Sequence, residues 1–216
     1  MFKTIKKIKK IIIFIATIFL ILTIGIILLT TNYPIGYKSM IVEYSKEYDL
    51  DPYLVASIIN VESKYDKDAI SQKGARGLMQ ISPSTGKWAS EVLGIDNYSE
   101  DILFDPETNI RIGTWYLDTL FKEFDYNLEL VLAAYNAGSG NVSKWLKDEK
   151  YSNDRTSLSI IPFKETEDYL VRVNQSYKVY STLYKKYIMN PSDKDSVYIN
   201  LLHNIRKIIK EIIRNV

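Results

Sequence analysis

The chain has no cysteine, and its one histidine is His203. Without cysteine no disulfide can brace a small domain, so whatever folds must be held by its own core. A single imidazole and no thiol leave the chain without the ligand sets of transition-metal sites, and without the parts for Ser-His or Cys-His catalysis. His203 falls on the polar side of a C-terminal amphipathic pattern and reads as solvated. There is no Gly-rich phosphate loop, no internal repeat and no heptad array long enough for a coiled coil. No metal and no cofactor are expected, and the chemistry on offer is that of carboxylates, amides and hydroxyls.

A basic surface is missing as well. The formal charge is +2, yet five lysines lie within the first ten residues; outside them 23 basic residues meet 26 acidic ones, a net of about −3. No basic stripe exists to neutralise phosphates, which argues against nucleic acid as a partner.

Those five lysines precede an uncharged run from Ile11 to Leu29, and the next charge is Lys38. Nineteen residues at about 1.5 Å each nearly match the roughly 30 Å hydrocarbon core of a bilayer. The lysine bias places residues 1–10 in the cytoplasm, 11–29 across the membrane and the remainder outside. A cleaved signal peptide is the competing reading. The run is longer than a typical signal core, and no A-x-A-like site follows in Leu29-Thr30-Thr31-Asn32-Tyr33. The expectation is therefore an uncleaved, single-pass anchor at the cell membrane with its domain extracytoplasmic.

Residues 30–36, with Pro34 and Gly36, read as a linker. Beyond it the pattern is helical with few strand signals. Helices are predicted near 38–48, 52–63, 83–92, 107–124, 128–136, 139–147, 165–187 and 196–214. Pro52, Pro83, Pro106 and Pro162 each fall near a predicted helix start, where proline is tolerated. The expectation is one all-α domain over 37–190, followed by an amphipathic segment over 191–216. That last segment carries Leu201, Leu202, Ile205, Ile208, Ile209, Ile212, Ile213 and Val216 on one stripe. Docking on the domain is the expected fate of the stripe; a basic helix on a membrane surface or a partner is the alternative.

Four segments carry candidate chemistry. In the first, Asp51 and Pro52 open a helix on which Val55, Ile58 and Ile59 share a face with Glu62. A carboxyl on an apolar face loses water when the helix packs, which raises its pKa and lets it donate a proton near neutrality. A Glu that swings clear at a helix end is the bland alternative. The second, Gly74-Ala75-Arg76-Gly77-Leu78-Met79-Gln80-Ile81, has glycines that permit close backbone approach and an amide at Gln80 suited to sugars; alternatively it is a turn entering a helix. The third, Leu132-Ala133-Ala134-Tyr135-Asn136-Ala137-Gly138, sets an aromatic and an amide just before a C-cap glycine, or is a capped helix with a core tyrosine. In the fourth, Pro162 starts a helix with Glu165 in its first turn and Tyr169 one turn on, same face. Capping is a sufficient explanation of Glu165 by itself.

Together these residues resemble lytic transglycosylases of the soluble-lytic-transglycosylase (SLT) type, which are related in fold to goose-type lysozyme. The resemblance covers roughly residues 40–185 and runs in family order: Glu62-Ser63, Ser71, Gly74-Ala75, Gly77 to Ile81, Ala133 with Tyr135 to Gly138, then Pro162, Glu165-Thr166, Tyr169 and Val173. Tyr65-Asp66 replaces the Asn-Pro usual after the Glu-Ser pair, and Ser82 stands where methionine is common. The resemblance implies a lysozyme-like catalytic domain that cleaves the β-1,4 bond between N-acetylmuramic acid and N-acetylglucosamine in peptidoglycan glycan strands. A 1,6-anhydro end would be left, with Glu62 acting as acid and then base. It further implies substrate contacts from Gln80 and Asn136, a contact of Ser71 near the acetamido group, and a cleft wall completed by Tyr135, Glu165 and Tyr169.

Two rivals stay open within the glycan reading. A lysozyme-type hydrolase would need a second carboxylate over a water, from Asp66, Asp68 or Glu165. An inactive glycan-binding scaffold would keep the groove and lose the chemistry. A tethered partner-binding bundle is a third reading. Trp88, Trp115 and Trp145 are expected in the core rather than at sugar subsites.

Overall fold

A computed structural model describes residues 2–184, which fall into two compact units divided between Pro34 and Ile35. The first is one helix, α1 (Phe2–Asn32). Its apolar side chains from Ile5 to Leu28 are exposed, and by length and composition the stretch Ile5–Asn32 suffices to cross a membrane. The helix continues past the expected span at both ends. Lysine is a good helix former, and nothing in Thr30-Thr31-Asn32 stops a helix. Instead the Thr30 and Thr31 hydroxyls donate to the Ile26 and Ile27 carbonyls, and Asn32 Nδ2 donates to Leu28 O at 2.8 Å. These side chains add second bonds to carbonyls already in the helix ladder, so their polar groups are met without ending the helix.

The second unit is all-α, without strands among the described residues, as expected. It comprises α2 (Lys38–Glu47), α3 (Pro52–Glu62), α4 (Pro83–Leu93), a 3-10 helix (Glu100–Phe104), α5 (Pro106–Glu123), α6 (Leu128–Ala137), α7 (Ser139–Lys147) and α8 (Lys164–Leu183). The 3-10 helix was not foreseen; its five residues are too few for helical periodicity to register. The helix expected over 196–214, the end of that expected over 165–187, and His203 lie outside the described residues.

Helix α3 is the axis of this unit. Asp51 caps it by accepting from Tyr53 N at 2.8 Å, and Pro52 takes the first helical position, where a missing N–H costs nothing. Every residue from Leu54 to Asn60 is buried, so the helix is enclosed on all sides and not only along the expected apolar face. Helix α8 packs along it. Two polar ties fix their register: Tyr177 Oη donates to Asp51 Oδ2 at 2.6 Å, and Asn60 Nδ2 donates to Ser176 Oγ at 3.1 Å. Tyr65, in the position that departs from the family pattern, is core: fully buried, at φ 62, its hydroxyl donating to Ala56 O at 3.3 Å. Helix α5 meets α2, α4, α6 and the 3-10 helix, and α6 meets α7 and α8.

Pro52, Pro83 and Pro106 each begin their helices, whereas Pro162 does not. Helix α8 starts at Lys164 with Phe163 as N-cap, so Pro162 shapes the approach and not the first turn. Ser82, the other departure, caps α4, accepting from Thr85 N at 3.1 Å.

Candidate active site

Glu62 is the last residue of α3. A helix C-terminus carries partial negative charge, which is an unfavourable place for a carboxylate. Part of Glu62 stays open to a cleft, but protein packs closely around its carboxyl. Desolvation pushes its pKa from 4.5 up to about 7, outweighing the opposing pull of Tyr169 and Arg172, while Glu165 adds to the rise. Near neutral pH this group exists in both protonation states, which is what an acid that must later act as a base requires.

Its neighbour Ser63 anchors the end of the helix. Ser63 Oγ donates to Leu78 O at 2.8 Å and lies 3.2 Å from Ile59 O. The loop that it touches, residues 76–81, is held from below by Asn109 of α5. Asn109 is fully buried, accepts from Met79 N at 2.8 Å, and donates to Arg76 O and Leu103 O at 2.9 and 2.7 Å. At Gly77, φ is +77° and a Cβ would meet Leu103 O at 2.2 Å, so glycine is needed for both conformation and space. Gly113 serves α5 likewise: a Cβ there would lie 2.4 Å from Met79 Sδ. Arg76 closes the outer side through ion pairs with Glu100 and Asp101 of the 3-10 helix. Asn109 was missed at the sequence level because a polar residue near a helix start reads as solvent-facing.

Gln80 leaves this loop at φ 49 and turns its amide inward. Its Nε2 donates to Ala69 O at 3.1 Å and Gly77 O at 2.9 Å. Ser71 stands on the neighbouring turn, where Ser71 Oγ accepts from Ala75 N at 3.0 Å. From α6, Tyr135 Oη donates to Met79 O at 2.9 Å, and Asn136 Oδ1 accepts from Thr166 Oγ1 at 2.7 Å. Gly138, at φ 89, ends α6 and begins α7.

Glu62, Ser71, Gln80, Tyr135, Asn136 and Glu165 line one cleft of about 590 Å³, together with Lys73 and Tyr116 among others. Glu165 stands exposed at the rim, 3.6 Å from Lys73 across the opening. Tyr169 is placed differently from expectation. It is 1% exposed and does not line the cleft, because a residue one turn beyond the rim on α8 turns in against α3. Its hydroxyl is buried without a hydrogen bond of ordinary length, and it is the strongest influence favouring the charged form of Glu62 after desolvation has opposed it. Of the other carboxylates weighed for a hydrolase, Asp68 pairs with Lys67 at 2.6 Å, and neither it nor Asp66 lines the cleft.

The tryptophans divide. Trp115 and Trp145 are buried as expected, but Trp88 is 45% exposed. Trp88 packs edge-on to Trp115 at 4.7 Å and to Tyr116 at 6.3 Å, and Tyr116 in turn meets Tyr135 at 5.7 Å. An aromatic row thus runs from the cleft wall to the surface. A second cavity, of about 480 Å³, lies at the opposite end of α3 among Tyr48, Leu54, Phe121, Tyr126 and Tyr177, and holds none of the candidate residues.

Comparison with known proteins places the sequence and its fold among relatives. The family model described as "Transglycosylase SLT domain" matches residues 39–158, over half of the chain. The soluble lytic murein transglycosylase of Escherichia coli (strain K12) is 35% identical over 147 residues, covering 67% of this chain and 23% of that protein. Membrane-bound lytic murein transglycosylase C of Serratia proteamaculans is 30% identical over 177 residues, covering 67% of this chain and 46% of that protein. Among solved structures, an inactive Glu-to-Gln mutant of the lytic transglycosylase Slt from Pseudomonas aeruginosa superposes with a TM-score of 0.63 at 33% identity. The match covers 73% of this chain and 26% of that one. The chain therefore corresponds to under half the length of each of these relatives.

Proposed function

The chain belongs to the transglycosylase SLT domain family, and on that premise we propose that it is a membrane-tethered lytic transglycosylase of peptidoglycan. The observation that carries the proposal is Glu62. It is a single carboxyl with a pKa raised to about 7, opening onto a cleft lined by amides, hydroxyls and aromatic rings.

The reaction asks little else of the protein. Protonated Glu62 gives its proton to the glycosidic oxygen as the bond to the anomeric carbon breaks. The positive charge that develops there is met by the acetamido oxygen of the same sugar, a substrate-assisted route that dispenses with a second carboxylate. Glu62, now ionised, takes the proton of the C6 hydroxyl while that oxygen bonds to the anomeric carbon. The glutamate ends protonated as it began, the departing sugar leaves with a free hydroxyl, and the broken glycosidic bond is replaced by an internal one between the anomeric carbon and O6. Tyr169 steadies the ionised intermediate state of Glu62, and Ser63 and Asn109 hold the walls in place.

Location supports the same reading. Five lysines in the first turns of α1, ahead of its uncharged run, favour a cytoplasmic N-terminus, leaving the domain on the side of the cell wall. Two membrane-related facts accord with it: a helix long enough to span, and a relative named as membrane-bound.

Hydrolysis is the second reading with a specific observation behind it, because Glu165 also lines the cleft. Its place at the exposed rim, paired with Lys73, suits a substrate contact better than a base held over a water.

The test is cleavage of isolated peptidoglycan sacculi by the full chain and by its Glu62→Gln variant, with binding to the sacculi measured alongside. The expected result is cleavage by the first, none by the second, and binding by both. Equal turnover in the variant would move the chemistry elsewhere, and binding without cleavage by the unmodified chain would make it a scaffold.

A further inference from the structure

Two amides face the cleft, and each has one end already spoken for. The Gln80 Nε2 group donates to two backbone carbonyls, Ala69 O and Gly77 O. Reversing this amide would bring its oxygen against both carbonyls, so only Oε1 is left for a ligand, and Oε1 can only accept. Asn136 is held in the opposite sense. Its Oδ1 accepts from Thr166 Oγ1 at 2.7 Å, which leaves Nδ2, a donor, for the cleft.

Thr166 decides that second orientation. It is 1% exposed, and the only hydrogen bond its hydroxyl proton makes is to Asn136. A reversed Asn136 would spend an N–H on the threonine oxygen and strand the threonine proton in the interior, at the cost of an unmet buried donor. Burial on α8 thus fixes the polarity of a residue on α6.

We propose that Thr166 is a positioning residue that locks Asn136 as a hydrogen-bond donor, so that Asn136 together with the acceptor Gln80 reads the two ends of a secondary amide on the substrate, its C=O and its N–H. This deepens the glycan reading above and rests on it, since the N-acetyl groups of the glycan are the secondary amides in question. The contribution is to selectivity: a sugar without the acetyl group would leave the Asn136 donor and the Gln80 acceptor unmet.

The experiment measures the dissociation constant of chitotetraose, an N-acetylglucosamine tetramer, by calorimetry in a Glu62→Gln background that blocks turnover. The variants are Thr166→Val, Thr166→Ser and Asn136→Asp. Thr166→Val keeps the shape and removes the hydroxyl, and should weaken binding about tenfold, the scale of one lost hydrogen bond with a freed amide. Thr166→Ser keeps the hydroxyl and should restore binding to within about twofold. Asn136→Asp preserves the bond from Thr166 and therefore the packing, but turns an acceptor toward the ligand carbonyl. Its loss should exceed that of Thr166→Val, and it serves even if the valine variant fails to fold. A structural role alone would move melting temperature without this order of affinities. Undiminished binding in Asn136→Asp, or in a folded Thr166→Val, overturns the inference while leaving the glycan reading intact. Failure of the Glu62→Gln parent to bind chitotetraose at all overturns both.

Discussion

On the proposed reading Glu62 must be an acid and then a base, and opposed influences on its carboxyl suit it to both. Desolvation raises its pKa, and Tyr169 and Arg172 restrain the rise. Two outcomes follow. Because the folded-state pKa stands above its ordinary value of 4.5, the native state holds this proton more tightly than the unfolded chain does. The associated stability is fully present below about pH 4.5 and is lost as pH rises through about 7. Glu62→Gln should then be more stable than the unmodified protein at pH 8, by up to about 3 kcal/mol, with the gap closing below pH 5. Urea titrations at the two pH values would show this, and a constant difference would contradict it. Second, Tyr169→Phe removes the principal group that favours ionised Glu62, so the alkaline limb of kcat/KM should move to higher pH. A limb that stays in place or moves down would mean that Tyr169 has no electrostatic role.

At the scale of elements, the site is a meeting of three helix ends and one loop, and these were not equally legible in the sequence. Helix α3 was, because Asp51-Pro52 is a strong start signal and Glu62 interrupts an apolar run. Helix α6 was, because Gly138 marks its stop. The inward turn of Tyr169 was not. Spacing places Glu165 and Tyr169 on one side of α8 but cannot say that the side rotates from rim to interior within a turn. Nor was the role of Asn109, since two of its three hydrogen bonds go to a loop some thirty residues earlier, and no local pattern encodes that. The roles of Ser82 and Tyr65 also needed the structure: one is a helix cap and the other core, so both departures from the family pattern are structural here. Asn109→Ala should cost about 3 kcal/mol, because it leaves the buried Met79 N–H and the Leu103 carbonyl unmet, whereas Arg76 O keeps its bond from Ile81 N. A small change in the urea midpoint for that variant would mean the loop at 76–81 is held by other means.

At the scale of the whole molecule, the division at Pro34 and Ile35 separates location from chemistry. All the residues that line the cleft come from the second unit. Removing residues 1–34 should therefore yield a protein that is soluble without detergent, keeps its melting temperature to within about 2 °C of the detergent-solubilised full chain, and still cleaves isolated peptidoglycan. A folded but inactive truncation would make the helix or the membrane part of the mechanism. The same separation makes the chemical outcome a property of the cleft alone. Whether the C6 hydroxyl or a water completes the reaction is written in the product. The decisive measurement is the mass of the muropeptides that the chain releases from purified sacculi. Ring closure by the C6 hydroxyl gives 1,6-anhydro products, each one water lighter than its hydrolytic counterpart, and these should account for the released material and vanish with Glu62→Gln. Products bearing the full water, released at the same Glu62-dependent rate, would contradict the account and make the protein a hydrolase.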